Sequence, residues 1–408
     1  MNKKLHQTIC EAIRSAGGRA LLVGGCVRDR LLGREPEDID CEVHGLAPQT
    51  LCALLERYGE VDMSGAAFGV YTLRREGFDF ALPRVEHRTG AGHADFRVTP
   101  MPELTPRQAA ARRDFTVNAI MQDALTGEII DPYGGAADLR QGVLRAVPGG
   151  QFTEDPLRVL RGAQFAARFG LRPEAGTLAA MRSMPLHGLS AQRVWDETKK
   201  ALLAAPKPGD YFRVLRDAGA LCPWFAELRA KAALERAASL LDGAAATRPR
   251  AAHLLGLMLA ALTLALPADG AKALLARLAV PHSDAAYAED LAAHAARMRD
   301  GLADEARALL IFDACACPGD LALLCAADGM EEALLAVRLA RYEAAAARPM
   351  PDGRMLLAAG ASPGPDMKRL LREARDRTLL GMDAEDAVRQ VVNTRSPERG
   401  GRTKDGSL

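Results

Sequence analysis

The sequence predicts an α+β protein in which a mixed strand-and-helix front gives way to an all-α rear. Three observations carry this. Strand-like runs bounded by turn residues, LLVGG, DIDCEV, FGVYTLRREGFDFALPRVE and GEIIDP, all fall before about position 145. From about position 153, helical periodicity dominates, β-branched residues thin out and alanine becomes dense. Turn signals at 206–209, 242–246, 267–270 and 360–365 then cut the rear into helical blocks, with no fixed-period repeat.

Composition narrows the class. The 408 residues are 49% hydrophobic and 26% charged, as in globular proteins. The net charge of +1 gives no global field toward nucleic acid, so any such binding must use local basic patches. The longest apolar run, 251–266, is shorter than the ~20 residues of a spanning helix and ends at Pro267, so a buried helix and no membrane partner are expected. The N-terminus lacks the continuous apolar core of a secretion signal. The eight Cys are scattered; Cys315 and Cys317 form a C-x-C without a second pair to complete a zinc site. Reduced thiols and a cytoplasmic location follow as expectations. The polar, Gly-rich end, 396–408, is expected to be flexible.

In order along the front, the strand LLV runs into Gly24-Gly25 and the helix-like VRDRLLG. A Gly pair before a helix N-terminus lets backbone N–H groups approach an anion, and Arg28 on the first turn adds a charged donor. Next come Asp38 and Asp40, flanking Ile39. In a strand both carboxylates share a face while Ile39 points inward. Such a pair repels unless a cation offsets it, and Mg²⁺ held by one or two carboxylates plus substrate phosphates does so. A bare D-x-D is equally a solvated strand end; the phosphate cradle upstream is what suggests a nucleoside triphosphate. The spacing is neither that of a Walker loop nor that of a dinucleotide fingerprint.

RRDFTVNAI, 112–120, places Arg112, Arg113 and Asp114 before an apolar stretch, and as an N-cap with a solvated basic face it needs no chemistry. DPYGGAADL, 131–139, reads as a structural turn into a helix. In TEDPLRVLRGAQFAARFGL, 153–171, Thr153 is the expected N-cap with Pro156 in the first turn. Asp155, Arg158 and Arg161 are spaced by three and predicted to share one helix face. A surface ion pair accounts for that spacing. So does base reading: an accepting Asp beside a donating Arg fits the pairing edges of cytosine and adenine and mismatches guanine and uracil.

Taken in order, LVGGCVRDRLLG, EDIDCEV, ARRDFTVNAI, IIDPYGGAADL and EDPLRVLRGAQFAARFGL closely resemble the class II (bacterial-type) tRNA nucleotidyltransferases and their poly(A) polymerase relatives. The resemblance is strong over 20–203, with weaker matches at LSAQRVWDETKKALL and GASPGPDMKRLL. It implies a polymerase-β-like nucleotidyltransferase head, a mixed sheet with helices, over 1–145. Behind it would follow an all-α neck (146–205), body (206–290) and tail (291–395). It also implies roles. Asp38 and Asp40 would hold catalytic Mg²⁺, with Asp79 as a third carboxylate. Gly25, Arg28, Arg113 and Arg161 would bind the nucleotide, with Asp114 toward the ribose, while Asp155 and Arg158 read the base. Many members carry Arg where this chain has Gln164, so a donor is kept and a charge lost. The implied activity is template-independent addition of CCA to the tRNA 3′ end from CTP and ATP, releasing pyrophosphate. The alternatives are an enzyme adding only A or only CC, a poly(A) polymerase, or, in a different class, a non-catalytic RNA-binding protein. Lys368, Arg369, Arg372 and Arg375 in the rear are candidate tRNA-phosphate contacts, or a solvated basic face. The alanine-rich helices are compatible with internal packing or a second copy, so the sequence leaves the oligomeric state open.

Overall fold

A computed structural model describes residues 3–36, 38–75, 77–88, 96–149 and 151–394. The expected flexible end, 396–408, lies outside the described residues, as do positions 90–95. The contacts divide the chain into two units, 1–238 with 273–279, and 239–272 with 280–408.

The first unit begins with amphipathic α1 (Lys3–Ser15) and β1 (Arg19–Val23), whose last four residues are buried. After Gly24 the chain enters α2 (Gly25–Leu31) and then β2 (Asp40–His44). There follow α3 (Pro48–Leu55), β3 (Val61–Asp62), β4 (Val70–Leu73), β5 (Phe78–Ala81), β6 (Arg84–Arg88) and β7 (Phe96–Pro100). The head closes with α4 (Pro106–Ala110), β8 (Met121–Asp123), β9 (Ile129–Ile130), α5 (Gly135–Gln141) and β10 (Val143–Leu144). Seven strands form a sheet in the order β3-β4-β5-β2-β1-β8-β9. The β2–β5 pair is parallel and its neighbours antiparallel, so the sheet is mixed, as expected. Ile9 and Ile13 of α1 and Leu51 and Leu55 of α3 pack on Val43, Phe78 and Phe80, while Leu22, Val27, Ile39 and Ile120 form a separate cluster.

One strand boundary corrects the sequence reading. Ile39 is buried at 7% exposure, but the ladder starts at Asp40, so Asp38 precedes the strand and is not one of its paired residues. The turn DPYGGAADL is structural, as read: Asp131 accepts the N–H groups of Gly135 and Ala136 at 2.8 and 2.9 Å. A Cβ at Gly135 would lie 2.0 Å from the Thr116 carbonyl oxygen, so only glycine fits there.

The helical continuation starts with α6 (Leu157–Phe169), followed by β11 (Arg172–Pro173), α7 (Ala175–Arg182), α8 (Ala191–Ala204) and α9 (Gly209–Asp217). The apolar face of α6 packs on α8 and α9. Thr153 does not cap α6, because a 3₁₀ turn takes Gln151–Glu154 and the helix begins only after Pro156. The N–H of Leu157 is taken instead by Asp155 Oδ1 at 3.0 Å.

Helix α10 (Lys231–Ala246) precedes α11 (Leu254–Thr263), the apolar run predicted to be buried; its residues from Gly256 to Thr263 are all buried. After α12 (Ala268–Arg277) the chain is helical throughout: α13 (His282–Gly301), α14 (Glu305–Ala314), α15 (Pro318–Ala327) and α16 (Glu332–Ala346), then α17 (Gly353–Ala358), α18 (Met367–Leu379) and α19 (Ala384–Asn393). In the second unit α11 packs on α13 and α15, and α18 on α19. Among the described residues no single helix is long and apolar enough to cross a membrane.

Candidate active site

The Gly24 turn opens the site. Gly24 has φ 73°, a conformation side chains disfavour, and a Cβ there would lie 3.0 Å from an Arg113 guanidinium nitrogen. No side chain caps α2, so its first N–H groups keep their bonding capacity for a ligand. Arg28 is buried at 5% exposure and fixed from several directions. It donates to Asn118 Oδ1 at 2.7 Å and to Asp29, and its guanidinium lies 4.1 Å from the Phe169 ring centroid. Burial lowers its pKa, a preference for a compensating anion.

Strand β2 presents Asp40 and, two residues on along the same face, Glu42. Register places Asp79 of β5 directly beside Asp40, and Thr72 donates to Asp79 at 2.5 Å. Partial burial raises the Asp40 pKa; Arg113 opposes this, and Asp79 and Asp38 add to it. The three acids are not among the described groups whose ligand atoms lie within 4.8 Å of one another. Hard carboxylate oxygens that repel one another suit a divalent cation.

Glu42, 1% exposed, anchors the arginines opposite. It lies 3.3 Å from Arg112, 3.9 Å from Arg113 and 3.1 Å from His44. Burial works against its charge, but the His44 hydrogen bond and the two guanidiniums prevail and hold its pKa at about 2. Asp114 is also buried. It accepts from Phe115 N–H at 2.8 Å, Asn118 at 3.0 Å and Arg161 at 2.6 Å. Burial pushes this carboxyl up, and Arg161 with the hydrogen bonds outweighs it, so the pKa is lowered.

The motif at 155–161 departs from the predicted single helix face. A residue before proline is disfavoured in helical conformation, and Asp155 lies outside α6. Its Oδ2 accepts from Arg193 of α8 at 2.9 Å. Arg158 donates to the carbonyls of Gln151 and Arg112, both at 2.7 Å, and Arg161 crosses to Asp114. Each side chain therefore meets a different element, and none pairs within the motif.

These groups line one cleft of about 610 Å³ that includes Gly25, Arg28, Asp40, Arg113, Asp114, Asp155, Arg158, Arg161 and Gln164. Asp38 and Asp79 lie outside its lining. The predicted tail cations are elsewhere, on α18.

Residues 20–145 match the family described as poly A polymerase head domain. The chain is 44% identical over 216 residues to the multifunctional CCA protein of Stenotrophomonas maltophilia, covering 51% of this chain and 52% of that protein. It is 43% identical over 215 residues to that of Pseudomonas aeruginosa, covering 51% and 50%. Similarity at the level of sequence is thus to poly A polymerase head domains over 20–145 and to multifunctional CCA proteins over about half of the chain. It spans about half the length of the curated relatives it matches. At the level of fold, similarity extends across nearly the whole chain. A Thermotoga maritima CCA-adding enzyme complexed with tRNA superposes with TM-score 0.72 at 20% identity, covering 96% of this chain and 95% of that one. A Bacillus stearothermophilus CCA-adding enzyme in complex with CTP gives 0.72 at 22%, covering 96% and 93%.

Within this fold, several cleft residues escaped the sequence reading. Asn118 fixes Arg28, and Glu42 fixes Arg112 and Arg113. Arg193, Glu197 and Lys200 of α8 also line the cleft, at helical spacing within LSAQRVWDETKKALL. Gln164 is 1% exposed, and its amide nitrogen has no hydrogen-bond partner among the described residues; the same holds for Glu197 Oε2. Buried groups left this way favour a ligand that bonds to them.

Proposed function

We propose that the protein adds CCA to the 3′ end of tRNA using CTP and ATP. The observation that carries the reading is one cleft that brings Asp40, whose register partner on β5 is Asp79, together with Arg28, Arg113, Asp155 and Arg158. The 3′-hydroxyl oxygen attacks the α-phosphorus of the nucleotide, and the bond to pyrophosphate breaks. Family members generally use divalent metal ions. Here Asp38 and Asp40, with Asp79 adjacent, would hold a divalent ion such as Mg²⁺, which when bound would lower the hydroxyl pKa and offset charge on the leaving oxygen.

The chain's own residues do the rest. Arg28, Arg113 and the uncapped start of α2 bind the triphosphate in line. Arg161 holds Asp114 ionised beside the ribose, and Gln164 offers its free amide N–H to the nucleotide. Arg158 has five N–H donors and uses two on carbonyls, so others remain to meet an unprotonated ring nitrogen of cytosine or adenine. Asp155 accepts from the exocyclic amine through its remaining lone pairs. Guanine or uracil would set donor against donor and acceptor against acceptor, a mismatch worth about 1–3 kcal/mol.

The test is incorporation on tRNA ending just before CCA, with each nucleotide alone and with CTP plus ATP. Completion of CCA is expected. Addition of A alone, of CC alone or of long A tails would assign one of the narrower activities. Intact tRNA binding without incorporation under all conditions would leave a non-catalytic RNA-binding protein. The Asp155→Asn variant should lose preference for C and A over G and U by about 10-fold or more; unchanged selectivity would remove the base-reading role.

A further inference from the structure

The isolated Cys315-x-Cys317 pair acquires partners in the folded second unit. Asp290 and His294 sit one helical turn apart on α13, and α13 packs against α14 and α15. The chain leaves α14 at Cys315 in an extended conformation before α15 begins at Pro318. That turn delivers the Cys315 thiol to the Asp290–His294 face. One ligand atom from each of Asp290, His294 and Cys315 lies within 4.8 Å of the other two.

We infer that Asp290, His294 and Cys315 form a transition-metal site of the zinc class, separate from the head acids. The donor set is one carboxylate, one imidazole and one thiolate. Thiolate with imidazole selects Zn²⁺-like ions and disfavours Mg²⁺, which takes hard oxygens. An ion held by the three would take bonds of about 2.0–2.3 Å.

The surroundings orient the ligands as metal sites do. The Ala316 N–H donates to Asp290 Oδ2 at 3.0 Å, and His294 Nδ1 lies 2.8 Å from the Asp290 carbonyl oxygen. Such contacts fix the carboxylate and the ring. Exposure is graded: Cys315 is 6% exposed, the His294 side chain 12% and the Asp290 side chain 33%. The thiol is therefore closed off on the core side while solvent reaches the carboxylate, which leaves an entry path and a fourth position for water. A second group, His6, Cys10 and Cys41, has similar donors but is enclosed by the sheet core, with Cys10 and Cys41 each 1% exposed. It offers no route for a fourth ligand and serves as the control.

An ion at this site would tie α13 to the α14–α15 turn. The experiment is a Co²⁺ titration of the metal-stripped full chain in excess Mg²⁺, which competes for sites built of hard oxygens. A thiolate-to-cobalt charge-transfer band should appear, saturate at a single ion per chain and vanish on adding Zn²⁺. Zn²⁺ should also raise the melting temperature. Both responses should be lost in Cys315→Ser and in the partly exposed His294→Ala, and kept in Cys10→Ser, with folding of each variant checked by circular dichroism. Absence of the band in the unmodified protein would overturn the site, as would a band that survives in folded His294→Ala or is lost in folded Cys10→Ser.

Discussion

Two stretches carry acids and arginines at helical spacing, 155–161 and 366–376, and they use them in opposite ways. Along α18, Arg369 and Arg372 pair with acids of their own stretch. Asp366 meets Arg369 at 3.1 Å, Arg369 meets Glu373 at 2.8 Å, and Arg372 meets Asp376 at 3.1 Å. At 155–161 no pair forms inside the motif: Asp155 reaches α8, Arg158 takes two carbonyls and Arg161 takes Asp114. The cause is what covers the helix. The charged edge of α6 meets α8 and residues 112–114, which offer fixed partners, whereas Arg369 and Arg372 remain 42% and 49% exposed. Spacing states which residues share a face. Whether that face is a site depends on what is packed over it.

The widest test of this contrast is at the acids of the cleft. Asp40→Ala should reduce nucleotide incorporation by about 10³-fold or more, because no other residue places a carboxylate at that point of β2. Its stability should change little or rise, since the Asp40 carboxylate is partly desolvated and its neighbours Asp79 and Asp38 repel it. Filter binding with tRNA should stay close to the unmodified protein. Retained incorporation would remove Asp40 from the chemistry.

Arginine deletions sharpen the comparison at the next scale. Arg161→Ala leaves Asp114 buried without its cation and should cost about 3–5 kcal/mol in urea unfolding. The same outcome is expected within α18 itself at Arg375. Offered by the sequence as a phosphate contact, it is instead committed to Asp313, which is 2% exposed, at 2.6 Å. Arg375→Ala should therefore destabilise by a comparable amount, unlike its neighbours on the same helix. A loss below about 1 kcal/mol for both would mean that burial of the acid partner is not what separates the two classes.

Glu42 gives the comparison a pH axis. Its folded pKa of about 2 is depressed from the ordinary 4.5, so its contribution is fully present above about pH 4.5 and is lost as pH falls toward 2. A shift of that size corresponds to about 3 kcal/mol at neutral pH. Glu42→Gln should lose roughly that much at pH 7, and the gap to the unmodified protein should narrow from about pH 4.5 downward. A gap independent of pH would assign the loss to packing rather than charge.

Much of the architecture was legible because it is local. The mixed front, the helical rear and a buried helix within the apolar run 251–266 follow from periodicity, and the Gly24 turn from residue type. The misread boundaries are local competitions: Pro156 holds Asp155 out of the helix, a 3₁₀ turn takes Thr153, and the β2 ladder starts only at Asp40. The rest is tertiary. Asp79 meets Asp40 only through the parallel register of strands distant in sequence, and Arg193 matters only because α8 packs on α6. Cys315 has no visible partner until α13 is folded against it.

The smallest expected effect is on the exposed face of α18. Arg369→Ala and Arg372→Ala should each change stability by less than about 0.5 kcal/mol, the range of i,i+4 pairs on solvated helices, and salt should erase that difference. The same variants test tRNA contact. Each cation already faces an acid of its own helix, so an RNA phosphate must displace Glu373 or Asp376 to reach it, which weakens the net attraction. If these arginines do contact the backbone, each substitution should lower the slope of log affinity against log salt by about 1. An unchanged slope would leave exposed Lys368 as the candidate phosphate contact on this helix and assign Arg369 and Arg372 to helix solvation.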